Sequence, residues 1–365
     1  MMKLASFLKR YDRVLGVVMS PFFSAPLQQH AERLPHSILM IRPGGIGDAV
    51  LLIPTVKALK QKFPDIRISV LAEKRNASAF MLCPNICEVL HYDKPSELLK
   101  ALKGNYDVVI DTEQWHRLSA FVTRLCKAPV SIGFATNERS RLFTHHIPYS
   151  HDEYEANSFL NLLTPLGIDK NAALPASFLS VPENANQRVE EFLVDLSGKS
   201  FIAIFPGGSI PERRWGAERF KGLAGKLNAE GFPVAVIGGK EDAAAGEMII
   251  ADNHGINLAG KTSLVETAAV IGRAALLVSG DSGILHIGVG LDRPTLSLFG
   301  PGIAKKWAPQ GTRHIIINKN LPCSPCTRFG YTPKCPVYTG CMGEITVDEV
   351  FAAVKKLIKT GMAER

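Results

Sequence analysis

Four segments of this chain end an apolar run with residues able to act on a phosphate-bearing ligand. Asp48 closes the turn Pro43-Gly44-Gly45-Ile46-Gly47, and Arg213 follows Pro206-Gly207-Gly208-Ser209-Ile210-Pro211-Glu212. His286 ends Ser279-Gly280-Asp281-Ser282-Gly283-Ile284-Leu285, and Thr262, Ser263 and Leu264 follow Leu258-Ala259-Gly260-Lys261. Each reads as strand, glycine turn, then helix start. Such a junction presents free backbone N–H groups and the positive end of the helix dipole, which together attract anions. In the second segment, glycine N–H groups, the Ser209 hydroxyl and the guanidiniums of Arg213 and Arg214 suit a diphosphate. Asp48 has two readings. It is an N-cap, or it is a carboxylate kept ionised by the helix start and ready to act as a general base. His286 falls three residues into its helix, either as a structural histidine or facing the same ligand as Asp281, Ser282 and Gly283. The segment around Thr262 would wall a nucleoside pocket. Taken alone, Gly45-Ile46-Gly47 is a weak dinucleotide fingerprint. The third glycine is missing, and Glu73, the acidic residue after the next strand, lies beyond the expected spacing.

A basic stretch holds Arg117, Arg124, Lys127, Arg139 and Arg141, with Glu138 opposing them. It is either a solvated face or the receiver of an anionic acceptor; Gly45, Arg117, Arg139 and Arg141 are the candidates on that side. Of the seven cysteines, Cys83, Cys87 and Cys126 are scattered and expected to be buried. Cys323, Cys326, Cys335 and Cys341 crowd into one proline-rich stretch. That cluster reads as a structural zinc site, a set of reduced thiols or disulfides, in a compartment where reduced thiols and metal are the commoner outcomes.

Alternating strands and helices must position these residues. Strands are expected at 37–42, 67–71, 106–111, 129–133, 201–205, 233–237, 275–279, 294–298 and 313–317. Helices are expected from about Ala49 to Phe63, then at 215–230, 241–251, 264–272, 283–290 and from Val347 onward. Thr346 and Glu349 have the spacing of a capping box for the last helix. Such alternation implies parallel sheets covered on both faces. With 365 residues, the chain is long enough for two such domains. The division expected is an N-terminal helix and linker (1–35), a Rossmann-like domain (36–175), a linker over 169–187, a second Rossmann-like domain (188–345) and a C-terminal helix (346–365).

The net charge is +8, which favours anionic partners. No cluster of basic residues or motif reads as nucleic-acid binding, and no apolar stretch reaches the ~18 residues that a membrane-spanning helix needs. Leu4, Phe7, Leu8, Tyr11, Val14, Leu15 and Val18 recur at helical spacing among Lys3, Lys9, Arg10 and Arg13. That stripe either packs on the protein itself or rests on an anionic bilayer.

The motifs Arg-Pro-Gly-Gly-Ile-Gly-Asp, Phe-Pro-Gly-Gly-Ser followed by Arg-Arg-Trp, and Ser-Gly-Asp-Ser-Gly-Ile-Leu-His followed by Pro-Thr-Leu-Ser-Leu-Phe-Gly-Pro occur in this order. Over about residues 36–355 the chain resembles glycosyltransferase family nine, the ADP-heptose:lipopolysaccharide heptosyltransferases. The resemblance implies an α/β protein of GT-B fold, two Rossmann-like domains with parallel sheets facing across a cleft. It implies inverting transfer of heptose from ADP-heptose to a lipid-anchored, anionic core oligosaccharide. No cofactor and no catalytic metal would be required, and the enzyme would be cytoplasmic and peripheral on the inner face of the cytoplasmic membrane. Asp48 takes the place of the catalytic aspartate. Gly208, Ser209, Arg213, Thr262, Ser263, Leu264, Asp281, Ser282, Gly283 and His286 fall on donor-binding positions. Arg213 stands where the family often has lysine, and Gly208-Ser209 stand in place of a hydroxyl pair. The absence of an Asp-x-Asp triplet fits a site that holds the diphosphate with arginine and helix dipoles. A non-catalytic nucleotide-sugar-binding protein of the same fold, or a transferase of another sugar, is the alternative reading.

Overall fold

A computed structural model describes residues 34–171, 173–196, 198–328, 331–335 and 340–363. The N-terminal stripe from Leu4 to Val18 and its basic neighbours lie outside the described residues. The chain divides into two compact units on either side of Pro175 and Ala176.

The first unit is built on one parallel sheet of six strands: β1 (Ser37–Arg42), β2 (Arg67–Ala72), β3 (Glu88–His91), β4 (Val108–Asp111), β5 (Val130–Phe134) and β6 (His145–Ile147). Their spatial order is β3-β2-β1-β4-β5-β6, that of a doubly wound nucleotide-binding sheet. Ile38 pairs with Ile68 on one side and with Val108 on the other. β1 and β4 are buried on both faces, which is why they read as continuous apolar runs rather than alternating ones. Helix α1 (Ile46–Lys62) follows β1 and buries Ala49 through Val56 without a break. It is a core helix rather than an amphipathic one, and α4 (Glu155–Asn161) packs against it. The remaining helices of this unit are α2 (Pro95–Lys103) and α3 (Leu118–Leu125).

The second unit repeats the plan. Its strands are β7 (Ile202–Phe205), β8 (Val234–Val236), β9 (Gly255–Asn257), β10 (Leu276–Gly280), β11 (Thr295–Phe299) and β12 (His314–Asn318). All are parallel, in the order β12-β11-β10-β7-β8-β9. Read from the other edge, this is the order of the first sheet. The helices that serve it are α5 (Glu183–Leu193), α6 (Ala217–Ala229), α7 (Ala243–Ile250), α8 (Leu264–Arg273), α9 (Gly283–Gly290), α10 (Ala304–Trp307), α11 (Gly340–Gly343) and α12 (Val347–Ala363). Its core gathers Ile202, Trp215, Phe220, Val236, Val278 and Leu296. Trp215 is buried, meets the Phe220 ring edge-on and donates from Nε1 to the Ile345 carbonyl at 2.9 Å.

Several elements depart from the expectation. The short strands β3, β6 and β9 and the helices α2, α3, α4 and α5 were not anticipated. Helix α5 begins inside the stretch read as a linker, and its Ala185 and Val189 are buried. The C-terminal helix is not a separate piece. Val350, Val354 and Leu357 of α12 belong to the second core, and Thr346 and Glu349 form the expected cap, Glu349 N to Thr346 Oγ1 at 3.2 Å. Among the described residues no helix is long and apolar enough to cross a membrane.

Candidate functional site

Each unit places polar residues at the carboxyl ends of its two central strands, where a doubly wound sheet switches direction and ligands bind. In the first unit these strands are β1 and β4.

β1 ends in Arg42, a charged residue in an otherwise apolar strand. Its guanidinium is almost wholly buried and fully engaged: Nε donates to Pro43 O at 2.7 Å, Nη1 to Thr112 O at 2.7 Å and Nη2 to Glu113 Oε2 at 3.0 Å. Burial alone would weaken its charge, but Asp48, Glu113, Glu155 and Asp111 outweigh it and raise its pKa. After Arg42 the chain turns through Gly44 at φ +118°, a conformation side chains rarely adopt; a Cβ there would sit 3.0 Å from Arg42 Nη2. Gly45 takes the N-cap position of α1. Asp48 is therefore not the cap. It lies in the first turn, at the positive end of the helix dipole. Its side chain is 22% exposed, Oδ1 accepts from Gln114 Nε2 at 3.0 Å, and Arg42 Nη1 lies 3.8 Å away. Asp48 is thus a carboxylate with one oxygen held by the protein and a face open to solvent, as a general base requires.

β4 delivers the partners. Thr112, Glu113 and Gln114 follow it directly. Glu113 is buried; burial works against its ionisation, but Arg42, with His116 and Arg139, prevails and holds its pKa below the usual value. Gln114 Nε2 also donates to Glu155 Oε1 at 2.5 Å, and the Tyr149 hydroxyl donates to Glu155 Oε2 at 3.0 Å. Burial first, then Glu155, pushes the Tyr149 phenol well above its ordinary pKa, so it remains a donor.

One acceptor-side expectation is corrected here. Arg139 has no solvent exposure. It donates to Asp111 Oδ2, to the Glu113 carbonyl and, at 3.4 Å, to Ser119 Oγ. A guanidinium buried in this way cannot reach an external ligand; its role is to compensate Asp111, whose pKa burial drives upward. Arg117 is paired with Glu138, Nη2 to Oε2 at 2.6 Å, and Arg141 is exposed on the same turn.

In the second unit the central strands are β7 and β10. The turn after β7 approaches its neighbours so closely that a Cβ on Gly207 would lie 2.5 Å from Asp242 Oδ1. Arg214 is tied back to this turn through Gly208 O, from Nε at 3.2 Å and Nη2 at 3.0 Å. Arg213 points instead toward the end of β10, its Nη1 3.1 Å from Asp281 Oδ2. Its Nε is buried and has no hydrogen-bond partner among the described residues. Ser282 caps α9, accepting from Leu285 N at 3.4 Å, and shares a hydrogen bond with Ser279. His286 is buried, its Nδ1 without a partner among the described residues. Burial lowers its pKa to about 4, so the ring is neutral. The structure thus joins Arg213 with Asp281 and starts a helix at Gly283 beside them. Thr262 and Ser263 are engaged in opening α8: Ser263 and Glu266 form a capping box, and Thr262 Oγ1 meets Thr267 Oγ1 at 2.9 Å.

Cys323, Cys326, Cys335 and Cys341 come together around one cavity, with Glu212 and Lys334 on its wall. Cys323, Cys326 and Cys341 are free thiols. Burial first, and then the neighbouring thiols, raise the pKa values of Cys326 and Cys341. Among the described residues no group of three or more His, Cys, Asp or Glu is arranged to hold a metal ion. Cys83 and Cys126 are buried as expected, whereas Cys87 is exposed.

Sequence reasoning missed Arg42, Glu113, Gln114, Tyr149 and Glu155. A signal existed for the first two: a charge at the end of an apolar strand must be compensated when buried, and Asp111 ends the strand beside it with Glu113 two residues on.

The profile of "Glycosyltransferase family 9 (heptosyltransferase)" matches residues 96–335. Lipopolysaccharide heptosyltransferase 3 of Escherichia coli is 29% identical over 287 residues, covering 72% of this chain and 83% of that protein. Lipooligosaccharide heptosyltransferase 2 of Haemophilus influenzae is 25% identical over 305 residues, 77% of this chain and 88% of that protein. Among solved structures, the E. coli ADP-heptose lipopolysaccharide heptosyltransferase II superposes with a TM-score of 0.73 at 21% identity, covering 89% of this chain and 99% of that one.

Proposed function

The chain belongs to glycosyltransferase family 9, and from that premise we propose that it moves heptose from ADP-heptose to a sugar of the lipopolysaccharide inner core with inversion at the anomeric carbon. The observation that carries the reading is the placing of a solvent-reaching carboxylate, Asp48, at one switch point and an arginine, Arg213, at the other. Asp48 accepts the proton of the acceptor hydroxyl as its oxygen attacks the anomeric carbon. The bond from that carbon to the diphosphate breaks, and its electron pair leaves with ADP. Arg213, the N–H groups around Gly207 and Gly208 and the start of α9 at Gly283 stabilise the charge that grows there. Ser209 offers a hydroxyl, and neutral His286 a hydrogen bond. Asp281 holds Arg213 before the donor arrives. Thr262, Ser263 and Leu264 border the nucleoside. Gly45, Arg117 and Arg141 are the acceptor-side residues that remain. We infer that no divalent ion is needed, because arginine and helix dipole supply the positive charge. The acceptor is lipid-anchored, so we place the enzyme at the inner face of the cytoplasmic membrane, where its +8 charge favours anionic lipid.

The test is ADP release on mixing with ADP-heptose and a truncated core acceptor, with and without EDTA. Release should need both substrates and persist in EDTA, and the product should carry the inverted linkage by NMR. Retained configuration, turnover with other nucleotide-sugars alone, or loss in EDTA restored by magnesium would overturn the reading.

Arg213→Ala should weaken ADP binding by about tenfold or more at low salt, since it removes a charge-assisted contact and leaves Asp281 facing the diphosphate. The deficit should shrink as ionic strength rises. His286→Ala should also weaken binding, but without that salt dependence, because its ring is neutral. Calorimetry across a salt series separates the two; unchanged affinity in both would misplace the donor site.

A further inference from the structure

Gln114 occupies the centre of the first unit's polar cluster, and its amide is committed on both ends. Its Oε1 accepts from Arg42 Nη1 at 3.2 Å and Nη2 at 3.3 Å. Its Nε2 donates to Asp48 Oδ1 at 3.0 Å and to Glu155 Oε1 at 2.5 Å. A reversed amide would set N–H groups against a guanidinium and a carbonyl against two carboxylates, so only one orientation is stable. Arg42 cannot move to accommodate another, being buried and bound to Pro43 O, Thr112 O and Glu113. Glu155 is equally fixed, wholly buried and held by the Tyr149 hydroxyl.

The consequence falls on Asp48, whose two oxygens are not equivalent. Oδ1 already accepts the Gln114 hydrogen. Oδ2 lies on the side of Gly45, where a Cβ would come within 3.1 Å of it and where the residue present has none. We propose that Gln114 is a positioning residue for Asp48, anchoring Oδ1 so that Oδ2 receives the proton of the acceptor hydroxyl. This rests on the reading of Asp48 as the general base. The proton passes from the acceptor oxygen to Oδ2 while that oxygen bonds to the anomeric carbon and the electron pair of the broken bond leaves with ADP. The Gln114 hydrogen bond does two things for this step. It fixes the carboxylate rotamer, and it occupies Oδ1 so that Oδ2 is the oxygen left to the acceptor. Gln114 itself touches no reacting atom.

The test is steady-state kinetics of Gln114→Ala and Gln114→Glu across pH, beside Asp48→Ala. In Gln114→Ala, kcat should fall by about 10- to 100-fold, the cost of a misplaced catalytic group, while KM for ADP-heptose stays within about threefold. Gln114→Glu keeps the side-chain volume but sets a third carboxylate beside Asp48 and Glu155; it should not rescue kcat. If Gln114→Ala fails to fold, the isosteric Gln114→Glu decides the matter alone. A kcat within about twofold of wild type, or a fall in kcat matched by an equal rise in KM for ADP-heptose, would overturn the proposal. With Asp48→Ala inactive, that result removes the positioning role alone; an active Asp48→Ala removes the general base as well.

Discussion

Asp48→Ala is expected to fold, to bind ADP-heptose with unchanged affinity and to lose at least about 100-fold in turnover, the scale of a general base. Folding should survive because Gly45, not Asp48, holds the cap of α1, and because the helix is fixed by the uninterrupted burial of Ala49 through Val56. Affinity for the donor should survive because the residues proposed to bind the diphosphate belong to the other unit. Turnover should not, because no other carboxylate in the first cluster is free to act. Glu113 is held by Arg42 and Glu155 by Gln114 and Tyr149, both out of reach of solvent. Thermal denaturation, ADP-heptose calorimetry and the ADP-release assay measure the three parts separately. Turnover within a few-fold of wild type would leave Asp48 as a helix-dipole partner and nothing more.

Arg139→Ala should cost about 3–5 kcal/mol of stability, the range for removing one partner of a buried pair. That is a large part of the 5–15 kcal/mol by which a domain is typically stable. Asp111 would be left without its compensating charge in a site where burial already disfavours its ionised form. Urea denaturation should show the midpoint fall by about 1 M or more. Arg139→Met combined with Asp111→Asn should recover much of the loss, since no uncompensated charge remains and the asparagine Oδ1 can still accept from Glu113 N as Asp111 Oδ1 does at 3.0 Å. Wild-type stability with weakened acceptor affinity would be the opposite result, and would restore Arg139 to the ligand-binding role that its place in a basic stretch suggests.

The central strands were legible because a strand buried on both faces is written as an unbroken apolar run, as in Ile202 to Phe205 or Leu276 to Val278. The edge strands were not. β6 is His145-His146-Ile147 and β9 is Gly255-Ile256-Asn257; three residues without apolar continuity carry no periodicity, and only pairing with a neighbour makes them strands. The helix after β1 was legible in extent but not in character, since it is buried rather than striped. Asp48, Arg213, Asp281 and Gly283 were singled out because glycine turns mark local chain reversals. Gln114 and Glu155 were not, because what joins them to Asp48 is tertiary: 66 and 107 residues separate them from it along the chain. Arg139 was misread for the same reason. In the sequence its neighbours are Glu138 and Arg141, whereas in the fold its neighbour is Asp111.

Both units carry the same strand order and each closes its own core, the first around Leu39, Val109 and Val122 and the second around Ile202, Phe220 and Val278. The residues that would handle the acceptor sit on loops of one, and those that would grip the nucleotide on loops of the other. Loops drift faster than the cores that carry them. Under the proposed function, acceptor choice and donor binding would therefore vary separately in evolution. Substitutions after β1, β4 and β5 would retarget the sugar that is modified while the nucleotide grip after β7 and β10 is inherited intact, so new acceptor preferences would arise without reinventing the donor.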